Sequence, residues 1–343
     1  HRLRHNPVGL LLREFANGTS ELTRYDHEGR CLGRVAQRAD RVTWKRRFHY
    51  SAEGDLREVE DNVHGTSSYV YDDAHRLIGE KRADGTTSTI RSDEAGNILR
   101  KPGCKGVRMN SGNRIAAVNG QRFDYDHRNN LARREGDDST TEYEYDSRDM
   151  LTGAQINGHE WRAEYDPLGR RIRKTWDGAT TEFHWDDKRL GAETRPDGSV
   201  RIYVYPDMDS LVPFMFLEYA SADADPAEGR AFFLFTDQRG CPVRVEDTQG
   251  RTAWKASVDP FGSATVDPAS TIELNIRMPG HYLDPETGLH YNRFRYYDPR
   301  LGRYLQSDPL GISGGINLYA YPANPLTHVD IVGWEHANDV GGG

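Results

Sequence analysis

The sequence predicts an all-β protein: a long meander of hairpins that ends in a compact module of strands and turns. Three observations predict it. A unit written aromatic-x-Tyr-Asp, then polar residues, Gly or Asn, and an aliphatic residue recurs with its Asp at Asp26, Asp72, Asp126, Asp146, Asp166 and Asp186, the last three steps being twenty residues each. Alternation is strict before the Asp. In Glu142-Tyr143-Glu144-Tyr145 the aromatics share one face and the carboxylates the other, the mark of a half-buried strand. The third observation is composition: 36% hydrophobic and 29% charged, with 18 Tyr and 34 Gly, suits sheets with one wet face and many turns.

Each unit reads as two strands of about seven residues and two turns. The first turn is Asp-x-x-Gly or Asp-x-x-Asn, an Asx turn closed by a left-handed residue. The second is a two-residue hairpin turn at Asp84-Gly85, Asn119-Gly120, Asn157-Gly158, Asp177-Gly178 and Asp197-Gly198. Degenerate units stand at Tyr50-Ser51, Asp93 and Tyr205-Pro206, and one is eroded or expanded around Pro102 to Asn119. One hairpin cannot bury its aromatic face alone, so the units must pair edge to edge into a continuous strip. That face is read as the core of the strip; the competing reading makes it a carbohydrate-binding platform on a non-enzymatic scaffold or adhesion module.

The bounds are simple. A net charge of −8 argues against non-specific nucleic-acid binding, and no run is long and apolar enough for a membrane helix. Cys31, Cys104 and Cys241 suggest neither a disulfide framework nor a zinc site. No phosphate-binding loop, HExxH, GxSxG or paired CxxC is present. His281 and His290 read as packing or surface residues rather than metal ligands, and no cofactor or metal is expected. The chain opens on His1 without a secretory signal and is expected to be part of something longer.

The last module is the most specific stretch. It contains GLHYNRFRYYDPRLGRYLQSDPLG and then GGINLYAYPANPLTHVD, with Asp-Pro at Asp284, Asp298 and Asp308, each pair a chain reversal. These residues resemble the Rhs repeat-associated core domain, which ends the YD-repeat shells of Rhs polymorphic toxins and toxin-complex C subunits, with teneurins as distant relatives. The resemblance implies a YD-repeat strip over 1–232 that spirals into a hollow shell (a β-cocoon), a core over 233–334, and the start of a C-terminal extension over 335–343. It also implies an intramolecular aspartyl autoprotease, with no activity on other substrates. Two close carboxyls cannot both ionise freely, so one would act as general base and the other, protonated, would polarise the scissile carbonyl. Carried over, Asp308 and Asp330 take these places, Arg303 is the orienting cation, and the cut falls between Trp334 and Glu335. The cleavage motif DPxGL stands here as Asp330-Ile331-Val332-Gly333-Trp334, with Ile for Pro and Trp for Leu. The implied partners are a C-terminal toxin domain, its immunity protein, and a type VI spike or toxin-complex subunit. The protein would be made in the bacterial cytoplasm and delivered without a signal peptide.

Overall fold

The computed structural model describes residues 2–334. Strands dominate it, and among the described residues the helical turns are three short 3-10 segments. A nine-stranded sheet runs from Arg2–Asn6 to Thr87–Thr89, and a sixteen-stranded sheet from Arg108–Asn110 to Ala264–Val266. A two-stranded ladder, Arg91–Ser92 with Ile98–Arg100, lies between them in sequence. A four-stranded sheet follows, made by Tyr282–Asp284, Leu289–Asn292, Arg295–Asp298 and Arg303–Tyr304. In every sheet each strand pairs with its neighbour in sequence. The long ladder thus continues past residue 233, where the core was expected to begin, as far as Val266.

The repeat has a physical cause that the pattern alone only outlined. In the turn after Tyr165, Asp166 Oδ1 accepts the amides of Leu168 and Arg170, each at 2.9 Å, and Oδ2 accepts Arg170 Nε at 2.7 Å. The same arrangement recurs at Asp26, Asp72 and Asp247, each with an Arg four residues on. The aromatic residue just before the Asp sits at a register shift, as at Tyr71, Tyr145 and Tyr165. Its hydroxyl then reaches back to a carbonyl of the preceding unit: Tyr71 to Leu56, Tyr145 to Leu131, Tyr165 to Leu151 and Tyr205 to Leu190. Trp185 does the same with its indole N–H to the Arg171 carbonyl. The bulge aims the ring and the hydrogen bond satisfies its polar end.

The hairpin turns follow the dipeptides. At Asn119-Gly120, Asn157-Gly158 and Asp177-Gly178 both residues have positive φ, as a type I′ turn requires. At Asp84-Gly85 and Asp197-Gly198 only the Gly does.

The four-stranded sheet packs against the buried face of the sixteen-stranded one. Tyr296 meets Trp161 edge-on at 5.8 Å, Tyr282 meets Phe183 at 5.1 Å, and Tyr291 meets Trp185 at 6.1 Å. Tyr143, Trp161 and Phe183 belong to this cluster and are buried. The aromatic face is therefore core and not a sugar platform. Each such side chain contributes about 1.5–3 kcal/mol when fully buried. Separate clusters join the nine-stranded sheet to the rest: Phe15 and Trp44 pack with Phe214, Phe233 and Phe235, while Phe48 and Leu56 pack with Phe261 and Leu326.

Charges are carried into this interface as closed pairs. Arg171, on the long sheet, meets Asp284 with two bonds of 2.5 and 2.9 Å, and both side chains are buried. Lys174 adds a bond to the same carboxylate. Removing one member of such a pair strands the other without water or counter-charge. Asp284→Ala should therefore lower stability by about 3–5 kcal/mol. Glu144→Ala, which breaks an exposed pair with Arg162, should cost less than about 1 kcal/mol. Urea unfolding midpoints compare the two, and equal shifts would contradict the clamp.

Candidate functional site

The site is built on the hairpin between Leu289–Asn292 and Arg295–Asp298. Asn292 and Arg295 pair across it, so the tip is only Arg293-Phe294, with Arg293 at φ 49°. That left-handed value is unfavourable for a side-chain-bearing residue, and it lets the chain reverse within two residues. The tip holds the segment 330–334 almost residue by residue. Asn292 Nδ2 donates to the Asp330 carbonyl at 2.8 Å, and Phe294 N–H donates to the Val332 carbonyl at 3.3 Å. Arg295 Nε donates to the Gly333 carbonyl, and the Phe294 ring stacks on Trp334 with centroids 4.4 Å apart.

The two carboxylates singled out from the sequence come together here. Arg295 Nη2 lies 3.0 Å from Asp308 Oδ2 and 3.2 Å from Asp330 Oδ2, with all three side chains buried. The guanidinium also lies 3.7 Å from the Tyr304 ring centroid. Asp330 is densely bonded. Its Oδ2 accepts the Tyr304 hydroxyl at 2.8 Å, and its Oδ1 accepts the amides of Val332, Gly333 and Trp334 at 3.3, 2.7 and 3.2 Å. Asp330 thus begins the segment 330–334 and also caps it. Asp308 Oδ1 accepts a local bond, from Leu310 N–H at 2.8 Å.

Arg303 is not the cation between them. Its guanidinium donates to Asn97 Oδ1 and the Asn113 carbonyl and lies over Tyr319. Successive strand residues point to opposite faces, and in Arg303–Tyr304 it is Tyr304 that faces Asp330. The cation expected at Arg303 is instead Arg295. In the sequence His290 to Tyr297 reads as one unbroken run, and alternation within it marks no reversal at Arg293-Phe294; only the folded hairpin and tail show that Asn292 and Arg295 flank a tip and what they grip. Trp334 is half-exposed, and Glu335 lies outside the described residues.

Two glycines admit the tail. A Cβ on Gly333, at φ 77°, would lie 2.5 Å from the Asn292 carbonyl oxygen, and one on Gly280 would collide with that of Ile331. The Gly of the motif is thus a steric requirement.

Asp284 and Asp298, read as turn residues, do close turns, with Gly288 and Gly302. Both are also buried and paired, Asp284 with Arg171 and Asp298 with Arg134 and Arg300. Burial would raise the Asp298 carboxyl, but the two arginines outweigh it and hold it below the ordinary range. His281 and His290 are packing residues, edge to face at 5.7 Å. Burial pushes His281 down to about 4, against a weaker opposing pull from Asp330. Its Nε2 donates to the Asp330 carbonyl at 3.2 Å. Elsewhere, His49, Glu58 and Glu60 bring three ligand atoms within 4.8 Å of one another on a largely exposed sheet face, a cross-strand cluster of a kind common without an ion.

Comparison with known proteins agrees with this architecture. The family model described as teneurin YD-shell matches residues 17–314. Double-stranded DNA deaminase toxin A of Burkholderia cenocepacia is 34% identical over 313 residues, covering 83% of this chain and 22% of that protein. Toxin protein Tse5 of Pseudomonas aeruginosa is 30% identical over 366 residues, covering 86% of this chain and 28% of that protein. This chain thus spans under a third of the length of those relatives. The Tc holotoxin pore of Photorhabdus luminescens superimposes with a TM-score of 0.78 at 18% identity, covering 99% of this chain and 19% of that one.

The depressed His281 value has a consequence for stability. Between its ordinary 6.5 and about 4 the unfolded chain binds the proton and the folded chain does not. The stabilising term is complete above pH 6.5 and is lost as pH falls through that window. Urea midpoints should drop from about pH 7 to about pH 4.5, and His281→Gln should drop less. Equal pH slopes for the two chains would refute it.

Proposed function

The chain belongs to the teneurin YD-shell family, and on that premise we propose that it is the C-terminal part of a toxin shell whose core cuts its own chain after Trp334. The single observation that carries this reading is the convergence of Asp308, Asp330 and Arg295 on a clamped segment. Asp308 is the general base. It has the carboxylate with the lighter load, and it would take a proton from water as the oxygen attacks the Trp334 carbonyl carbon. The Trp334–Glu335 bond then breaks, and the proton passes to the departing Glu335 nitrogen. Asp330 and Arg295 are positioning residues. The first binds three amides of the segment and the second its Gly333 carbonyl, a hold that would fix the orientation of the scissile peptide during the cut. Such prepaid orientation is a large part of what a site can supply.

The downstream segment would be the cargo, a C-terminal toxin domain enclosed by the shell and neutralised in the producing cell by an immunity protein. Delivery would run through a type VI spike or a toxin-complex subunit after synthesis in the bacterial cytoplasm. The relatives named as toxins support this reading.

The test is the intact mass of the chain made with its native downstream sequence. The unmodified chain should split after Trp334. Asp308→Asn should slow the cut by about a hundredfold or more, and Asp330→Asn and Arg295→Gln should also leave mostly uncut chain. One uncut mass for every chain would replace this reading with a scaffold whose core is inactive.

A further inference from the structure

We infer that Phe294 selects the residue before the scissile bond, so that this core prefers an aromatic side chain at position 334. The inference rests on the self-cleavage reading and deepens it. Its basis is geometric. The Phe294 and Trp334 rings are stacked, 28° from parallel with centroids 4.4 Å apart. The contact is not left to chance rotamers, because the Phe294 backbone also bonds the Val332 carbonyl and so fixes the register of the tail beside the ring.

The strip also packs against the ring. A Cβ on Gly169 would lie 2.8 Å from Phe294 Cε1, so the turn Asp166-Pro167-Leu168-Gly169 leaves room for the ring only because it ends in Gly. Arg293 ties the tip to the same turn through the Leu168 carbonyl at 3.3 Å, and its guanidinium lies 5.3 Å from the Phe294 centroid. Tyr291 donates to the Gly169 carbonyl at 3.2 Å. The subsite is thus a ring held between a repeat turn and the tail, open toward the side chain at 334.

A flat ring so held offers its face to a second ring, which gains an offset-stacked contact that an aliphatic side chain does not. The replacement of Leu by Trp at the end of the motif is then matched to Phe294 and is not a defect. A leucine at this position would still fit, with less of its surface covered.

A double-mutant cycle tests this, using the chain with its native downstream sequence made by in vitro translation, where the uncut fraction is followed in time. The four chains are the unmodified one, Phe294→Leu, Trp334→Leu, and both together. In the chain that keeps Trp334, Phe294→Leu should slow cutting by about three- to tenfold. In the Trp334→Leu background the same change should alter the rate by less than about twofold. Equal slowing in both backgrounds would show Phe294 to be merely structural and would overturn the selectivity. No effect in either would overturn it as well. Absence of cutting in all four chains would instead refute the self-cleavage reading, and the inference with it.

Discussion

The structure depends first on the bond from one repeat's aromatic residue to the carbonyl of the repeat before it. Tyr71, Tyr145, Tyr165 and Tyr205 each make it, the first three from a bulged position beside an Asp-closed turn. A sheet of many similar strands is prone to slip in register, since a one-residue shift exchanges its two faces. Here the bulge places each ring, the ring's hydroxyl reaches one particular carbonyl, and the Asp fixes the turn that follows. Register is thereby set unit by unit, and the long ladder to Val266 keeps its aromatic row on one side.

That row gives the core module something to fold against. Tyr282, Tyr291 and Tyr296 close on Phe183, Trp185 and Trp161, and the Arg171–Asp284 pair locks the charge that is buried with them. The module is too small and too rich in polar atoms to be read as a free-standing unit, and the strip completes its core. The same docking positions the two carboxylates of the candidate site. It fixes the hairpin tip at Arg293-Phe294, the tip fixes the tail from Asp330 to Trp334, and Arg295 joins that tail to Asp308.

The three Asp-Pro turns show how far the sequence could be read. Asp284, Asp298 and Asp308 are locally alike, each accepting a turn bond from a following Gly. Asp284 meets Arg171, Asp298 meets Arg134 and Arg300, and Asp308 meets Arg295 beside Asp330. The turn was legible in every case, but the long-range partner in none, because Arg171, Arg134 and Arg295 lie on other strands. Arg303 was assigned to the carboxylates by resemblance and lies close in sequence to Asp308. The pleat sends it instead to Asn97 and Asn113 and sends Tyr304 to Asp330.

Most of what repeats along the chain was legible before folding. The all-β class, the twenty-residue unit, the Asx and Asn-Gly turns and the buried aromatic face all follow from period-two patterning and from backbone dihedrals, which are properties of neighbouring residues. Which lone side chains meet is settled by the packing of distant segments. The joining of Asp308 to Asp330 through Arg295, the seating of Phe294 over Gly169, and the threading of the tail past Gly280 are long-range contacts. They depend on how a docked hairpin and a strip are set against each other, and no local pattern encodes that placement.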